Sequence, residues 1–202
     1  MSIKINELNH TQSDDNLYAN SIRPFKTIKK QMKQWLFCPS CGKASLSWDG
    51  EKKWSCNSCD FTLYHNVATA VAVLVKHKDE ILFTIRNREP AKGKLDLPGG
   101  FTDPKETAEH TCTRELWEEL AWEILPDKLK YLCSLPNTYV YKEVLYNTLD
   151  LFYIYEIDEK PAFTLEESEI QSVEWRKLQA LEMEDLAFDS QKRFFAEMKS
   201  LL

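Results

Sequence analysis

Apolar positions recur along this chain in two rhythms. A period of two, or a continuous β-branched run, marks the strands: "VATAVAVLV" (67–75), a turn at "HKDE" and "ILFTIR" (81–86) together predict a hairpin. Further strands are predicted at "KYLCSL", "NTYVYKE" and "LYNTLDLFYIYEI". Helical spacing governs three other stretches. Ile28, Met32, Trp35 and Leu36 in "FKTIKKQMKQWL" predict a short amphipathic helix, and "EDLAFDSQKRFFAEMKSLL" a closing one. Between them Ala108, Cys112, Leu116 and Leu120 recur every four residues and form a stripe that must face a core. Residues 1–24 are polar and without period, and read as a loosely held arm.

The middle helix carries an electrostatic problem. Its start is predicted at Asp103 or Glu106, with Pro104 in the first turn and a capping-box spacing from Asp103 to Glu106. At about 100° per residue, Glu115, Glu118 and Glu119 point a quarter turn from the apolar stripe, at the edge of the core rather than opposite it. Like charges so spaced cost roughly 0.2 to 0.5 kcal/mol per pair on an exposed helix, and more where water is excluded. Arg114 is expected to offset only one of them. A hard divalent cation such as magnesium or manganese would relieve all three.

Composition narrows the setting. A chain of 202 residues holds one ordinary domain and a small accessory unit. The net charge of −6, from 26 basic and 32 acidic residues, argues against a protein built to grip nucleic acid, and the lysines of the first helix read as a solvated face. No apolar stretch approaches the ~20 residues of a membrane helix, and the polar N-terminus lacks the regions of a secretory signal, so a cytoplasmic protein without membrane contact is expected.

The cysteines form a second constellation. Cys38 and Cys41 make one C-x-x-C, Cys56 and Cys59 another, with the turn signal "WDGE" between them. Two such knuckles complete a closed tetrahedral zinc site with no open position, which predicts structural Zn²⁺ and not catalysis. Paired disulfides are the lesser reading for a chain without a secretory signal. Cys112 and Cys133 read as small core residues.

Three of the five glycines, Gly93, Gly99 and Gly100, lie within eight positions and lead into the acidic helix, which predicts a ligand-facing loop. Gly100, Glu106 and the run Arg114-Glu115-Leu116-Trp117-Glu118-Glu119, with "LDLPGG" upstream, resemble the Nudix box in residue type and spacing. One departure is Ala121, where the family pattern has a glycine.

The resemblance implies an α/β fold, an α/β/α sandwich with a mixed sheet, over 66–202. A zinc ribbon over 37–65 and an arm with a short helix over 1–36 precede it. It also implies that Glu115, Glu118 and Glu119 with the Gly100 carbonyl hold Mg²⁺ or Mn²⁺, that Arg114 orients the glutamates, and that the protein forms a homodimer. The activity implied is hydrolysis of a pyrophosphate linking a nucleoside to another group, in NAD(H), ADP-ribose or a nucleotide sugar. Glu118 is the first choice of base, and Glu169, just before "EIQSVEW", the second. Ser134 and Pro136 partly match a motif of the NADH pyrophosphatase branch, S-Q-P-W-P-F-P, whereas Leu135, Asn137, Thr138 and Tyr139 do not. Arg86 and Arg88 could hold phosphate, and Tyr139 or Tyr141 could stack on a ring, although sheet packing accounts for the tyrosines equally well. The rival function is a catalytically silent nucleotide sensor that uses the ribbon to meet a protein partner or nucleic acid; the intact glutamate set favours the enzyme.

Overall fold

A single carboxylate shapes the first hairpin. Asp49 accepts the backbone N–H groups of Glu51, Lys52 and Lys53 at 2.8, 2.9 and 3.1 Å, which turns β1 (Leu46–Trp48) back on β2 (Lys53–Cys56). A third antiparallel strand, β3 (Thr62–Tyr64), completes a small sheet around Cys38, Leu46 and Trp54. The computed structural model describes residues 35–141 and 144–198, so the arm and nearly all of the helix expected over 25–36 lie outside the described residues. Trp35 and Leu36, expected in that helix, are in irregular backbone, where Trp35 stacks on Trp54 with ring centroids 4.7 Å apart.

The larger sheet is mixed and built from β4 (Ala68–His77), β5 (Glu80–Arg86), β6 (Leu95–Asp96), β7 (Lys130–Tyr141), β8 (Val144–Glu156) and β9 (Ile170–Lys177). Its order is β6-β5-β4-β8-β7, with β9 on the other side of β5. Strands β4 and β8 run parallel, and the other pairs are antiparallel. The expected hairpin of β4 and β5 is present, yet the two strands pair only at Lys76↔Ile81 and His77↔Glu80 before they part. Residues 98–102 enter the gap. Val73 N–H donates to Pro98 O, Val71 N–H to Gly100 O and Thr102 N–H to Thr69 O, at 2.9, 2.8 and 3.0 Å.

The continuous apolar run of β4 serves both faces of the sheet, as a doubly covered strand requires. Val71, Val73 and Val75 pack with Cys112, Leu116 and Leu120 of helix α1 (Ala108–Leu120), so the predicted stripe is the one buried. Ala72 and Leu74, one residue out of phase, pack with Phe194 and Phe195 of helix α2 (Asp189–Met198). Three layers result, α/β/α. Among the described residues no helix is long and apolar enough to cross a membrane.

Three boundaries differ from expectation. Helix α1 is capped by Thr107, whose side chain accepts from His110 N–H, and not by Asp103 or Glu106. Lys105 has φ 76°, in the left-handed region, so no helix can run through it, and the Asp103–Glu106 pair closes a separate turn instead. The predicted strands "KYLCSL" and "NTYVYKE" are one strand, β7, at the sheet edge, where a proline such as Pro136 is tolerated. The closing helix starts at Asp189, because Leu186 bridges Leu95 and Ala187 N–H donates to Leu95 O at 2.8 Å, which holds that stretch extended against β6.

Candidate functional site

Where β4 and β5 diverge the fold leaves a cavity of about 590 Å³, within the range of small-molecule sites. Gly99 and Gly100 form one wall beside Glu115, Glu118 and Glu119 of α1. Their lack of side chains is what admits the close fit: a Cβ on Gly99 would lie 2.1 Å from Val71 O, and one on Gly100 would lie 2.4 Å from Glu115 Oε1. Gly93, expected in the same ligand-facing loop, instead closes the turn after β5 by donating to Arg86 O at 2.8 Å.

Arg114 holds more of the acidic cluster than its single charge suggested. Its Nη1 donates to Glu115 and to Glu118, both at 2.8 Å, its Nε to Glu106 at 2.8 Å and its Nη2 to Phe101 O at 2.9 Å. Arg114 thus offsets two of the three glutamates, with Glu106 as a further partner. That contact first, then the Asp103 N–H, holds the Glu106 carboxyl down to about 2. Glu119 is outside this arrangement. It is buried, accepts from Gly99 N–H at 3.3 Å, and forms no ion pair among the described residues. Burial first, then the neighbouring charges of Asp96 and Glu115, raise its pKa well above the carboxylate range. Burial also raises Glu115, against the pull of Arg114. Two desolvated carboxyls and an exposed one offer oxygen donors of the kind a hard divalent cation takes, while the Gly100 carbonyl accepts from Val71 N–H at 2.8 Å; among the described residues Glu119 is the one of the three without a positive partner.

The residues singled out from the sequence fall into three groups. Glu115, Glu118, Glu119, Gly100, Arg114, Arg86, Arg88, Tyr139 and Glu169 all line the cavity. Arg86 is buried, with Nη1 donating to Asp96 Oδ2 at 2.6 Å and Nε to Pro90 O at 2.8 Å. Arg88, half exposed at the rim, is ion-paired to Glu169, which stands immediately before β9. Ser134 is off the cavity: it pairs with Leu151, one residue out of phase with Asn137 and Tyr139, and a strand sends such neighbours to opposite faces. Tyr141 ends β7.

Other lining residues went unremarked. Asp96, Thr148, Asp150 and Gln191 contribute buried polar groups, with Asn137 beside them. A charge inside the apolar text "LDLFYIY" was the available signal for Asp150.

Away from the cavity, the sulfurs of Cys38, Cys41, Cys56 and Cys59 lie within 4.8 Å of one another, with Cys38 to Cys59 and Cys41 to Cys56 both 3.7 Å. A tetrahedron of thiolates about 2.3 Å from a central ion has edges of about 3.8 Å. The Ser45 hydroxyl at 3.1 Å and the Ser58 N–H at 3.3 Å point at the Cys56 sulfur, and the Ser45 contact first brings that thiol down to about 6. The cluster is compatible with zinc. Cys112 is fully buried against the α1-side core, and burial pushes its thiol up to about 12, which makes it inert packing.

A model of the NUDIX domain matches residues 65–198. A curated protein, the NAD-capped RNA hydrolase NudC of Pseudomonas putida, is 36% identical over 88 residues, 44% of this chain and 32% of that one. The chain thus spans about a third of the length of such relatives. Among solved structures, a NUDIX hydrolase from Nitrosomonas europaea superimposes with a TM-score of 0.55 at 21% identity, covering 82% of this chain and 93% of that one. The NUDIX domain of Shewanella oneidensis NrtR, complexed with ADP ribose, gives 0.54 at 22% identity, over 68% of this chain and 90% of that one.

Proposed function

The chain belongs to the NUDIX domain family, and on that premise we propose that residues 66–202 hydrolyse the pyrophosphate bond of a nucleoside diphosphate linked to a second group, with Mg²⁺ or Mn²⁺ as cofactor. The observation that carries this reading is the meeting of Gly99 and Gly100 with Glu115, Glu118 and Glu119 on one cavity wall. Eight carboxylates line the cavity against three arginines. A pyrophosphate would be repelled from such a lining unless cations accompanied it. Glu115, Glu118, Glu119 and the Gly100 carbonyl are the groups that would hold them. When bound, such ions neutralise phosphate charge and acidify water.

The chain's own side chains supply the rest. Glu118, more exposed than its two neighbours, is the first choice to take the proton of the attacking water, with Glu169 as the second. Arg114 keeps Glu115 and Glu118 from drifting apart. Arg88 can exchange Glu169 for a substrate phosphate at the rim, which would free that carboxylate. That the Pseudomonas relatives are NAD-capped RNA hydrolases puts an NAD-linked pyrophosphate first, ahead of ADP-ribose and nucleotide sugars.

Product analysis tests this. With Mg²⁺ or Mn²⁺, NAD(H), ADP-ribose, nucleotide sugars and an NAD-capped RNA oligomer are supplied in ¹⁸O-labelled water. The expected result is AMP, or a 5′-monophosphate RNA end, with the label on a phosphate. Label on ribose would mean glycosidic cleavage and would overturn the mechanism. Metal-dependent nucleotide binding without turnover of any substrate would replace the enzyme by a sensor.

The four cysteines belong to the same proposal as a structural zinc site in a ribbon over 37–65. Elemental analysis should find about one zinc per chain. Cys38→Ser should lose it together with the ribbon's resistance to proteolysis, since Cys38 is buried in that small core. A stable, fully active, zinc-free protein would contradict this assignment.

A further inference from the structure

Two amide side chains on the cavity wall are each turned by a buried carboxylate, so that each leaves over its carbonyl oxygen. Asp150 accepts from Thr148 Oγ1 at 2.8 Å, Ser190 Oγ at 2.6 Å and Asn137 Nδ2 at 2.9 Å. A carboxylate only accepts, so the amide nitrogen of Asn137 faces Asp150 and its oxygen is what remains for a ligand. Asp96, ion-paired with Arg86, imposes the same orientation on Gln191, whose Nε2 donates to it at 2.5 Å. Gln191 Oε1 is buried and has no hydrogen-bond partner among the described residues. Gln191 and Ser190 are neighbours in α2, so one turn of that helix joins the two networks.

Beside the amides runs an aromatic strip. Tyr139, two residues from Asn137 on β7 and therefore on the same face, packs its ring 5.5 Å from Phe101 and 6.0 Å from Phe188, and all three line the cavity. Arg86 lies over the Phe188 ring, 4.9 Å from its centroid, which holds that ring in place.

We infer that this end of the cavity binds a planar ring carrying an exocyclic amino or carboxamide nitrogen, with the ring against the aromatic strip and its N–H groups directed at the Asn137 and Gln191 oxygens. The inference rests on the reading that the protein cleaves dinucleotide-type pyrophosphates; adenine and nicotinamide both carry the required chemistry. An acceptor left without a donor in a buried site is costly, and a ligand N–H removes that cost. A ring with an oxygen in place of the nitrogen would set acceptor against acceptor, so hypoxanthine or nicotinic acid should be refused. Arg86 thereby acquires a positioning part, through Asp96 and Gln191, in addition to the phosphate contact read from the sequence.

Two measurements on the wild-type protein test this. Dissociation constants are determined in Mg²⁺ by calorimetry for AMP against inosine monophosphate, and for nicotinamide mononucleotide against nicotinic acid mononucleotide. Values of kcat/KM are determined for NAD, for its nicotinic acid and hypoxanthine counterparts, and for ADP-ribose against inosine diphosphate ribose. At least about a tenfold loss is expected when the nitrogen of the ring held here is replaced, and little change for the other ring, so the arms tell adenine from nicotinamide. Asn137→Leu and Gln191→Leu should bring that ratio towards one, a change that general destabilisation does not produce. Equal binding and equal kcat/KM across every pair would overturn the inference while leaving the pyrophosphate reading intact. Discrimination in binding without any turnover would uphold the inference and overturn the reading.

Discussion

Glu119→Gln is expected to reduce metal-dependent turnover by at least about 100-fold, a loss of the few kcal/mol that a metal-holding carboxylate supplies, and yet to stabilise the metal-free protein at high pH. Glutamine is nearly isosteric and can still accept from Gly99 N–H, so the fold has no reason to change. The stability half follows from linkage. Burial, Asp96 and Glu115 raise the folded pKa of Glu119 above its unfolded value, so between those two values the native state holds a proton that the unfolded chain has released. Stability of the metal-free protein therefore falls as pH rises through that window and is fully present below it. Glu115 and Asp96, both also raised by burial, act in the same direction, so the informative quantity is the difference between wild type and variant. Urea unfolding in chelator at several pH values should show a flatter profile for Glu119→Gln. Glu118→Gln, on a half-exposed side chain, should lose comparable activity. Full metal-dependent activity in both variants would remove the glutamates from the proposed chemistry.

What could be read from the chain was whatever local spacing determines. The stripe of Cys112, Leu116 and Leu120 lies every four residues and is buried as predicted, because a helix converts that interval into one face without help from the rest of the fold. The cysteine knuckles and the paired glycines have the same local character. Contacts across long separations were not legible: Gln191 meets Asp96 over 95 positions and Ser190 meets Asp150 over 40, and no periodicity announces such pairs. Arg86 illustrates the cost. By residue type it resembles a phosphate ligand, and it does line the cavity, but its ion pair with Asp96, ten positions on, was not legible in the chain. Helix α1 began later than its capping signals suggested because a single left-handed residue, Lys105, separates the Asp103 turn from the Thr107 cap. The electrostatic puzzle of the three glutamates was posed correctly by the sequence and only half answered by it, since Arg114 resolves Glu115 and Glu118 and leaves Glu119 alone.

The two adjacent glycines should separate stability from activity. Gly99 has φ 150°, and a Cβ there would lie 2.1 Å from Val71 O, 2.9 Å from Val71 C and 3.2 Å from Ala72 Cα. All three are backbone atoms of β4, a strand paired along its length with β8, so nothing nearby can yield without opening the sheet. Gly99→Ala is therefore expected to destabilise by about 2 to 4 kcal/mol, combining overpacking with backbone strain. That corresponds to roughly 5 to 15 °C in Tm for a chain of this size. Gly100→Ala meets a different neighbour. Its Cβ would lie 2.4 Å from Glu115 Oε1, 2.6 Å from the carboxyl carbon and 2.8 Å from Oε2, the far end of a side chain that can swing away. Swinging away takes Glu115 from Arg114 and from the wall it shares with Glu118. The expected signature is a Tm close to wild type with kcat/KM lowered by about tenfold or more, since small displacements of positioning groups are costly to rate. Differential scanning calorimetry alongside the nucleotide assay reads both quantities. Equal thermal losses for the two variants, or a fully active Gly100→Ala, would show that the glycine pair serves the turn alone and not the fit of Glu115 against it.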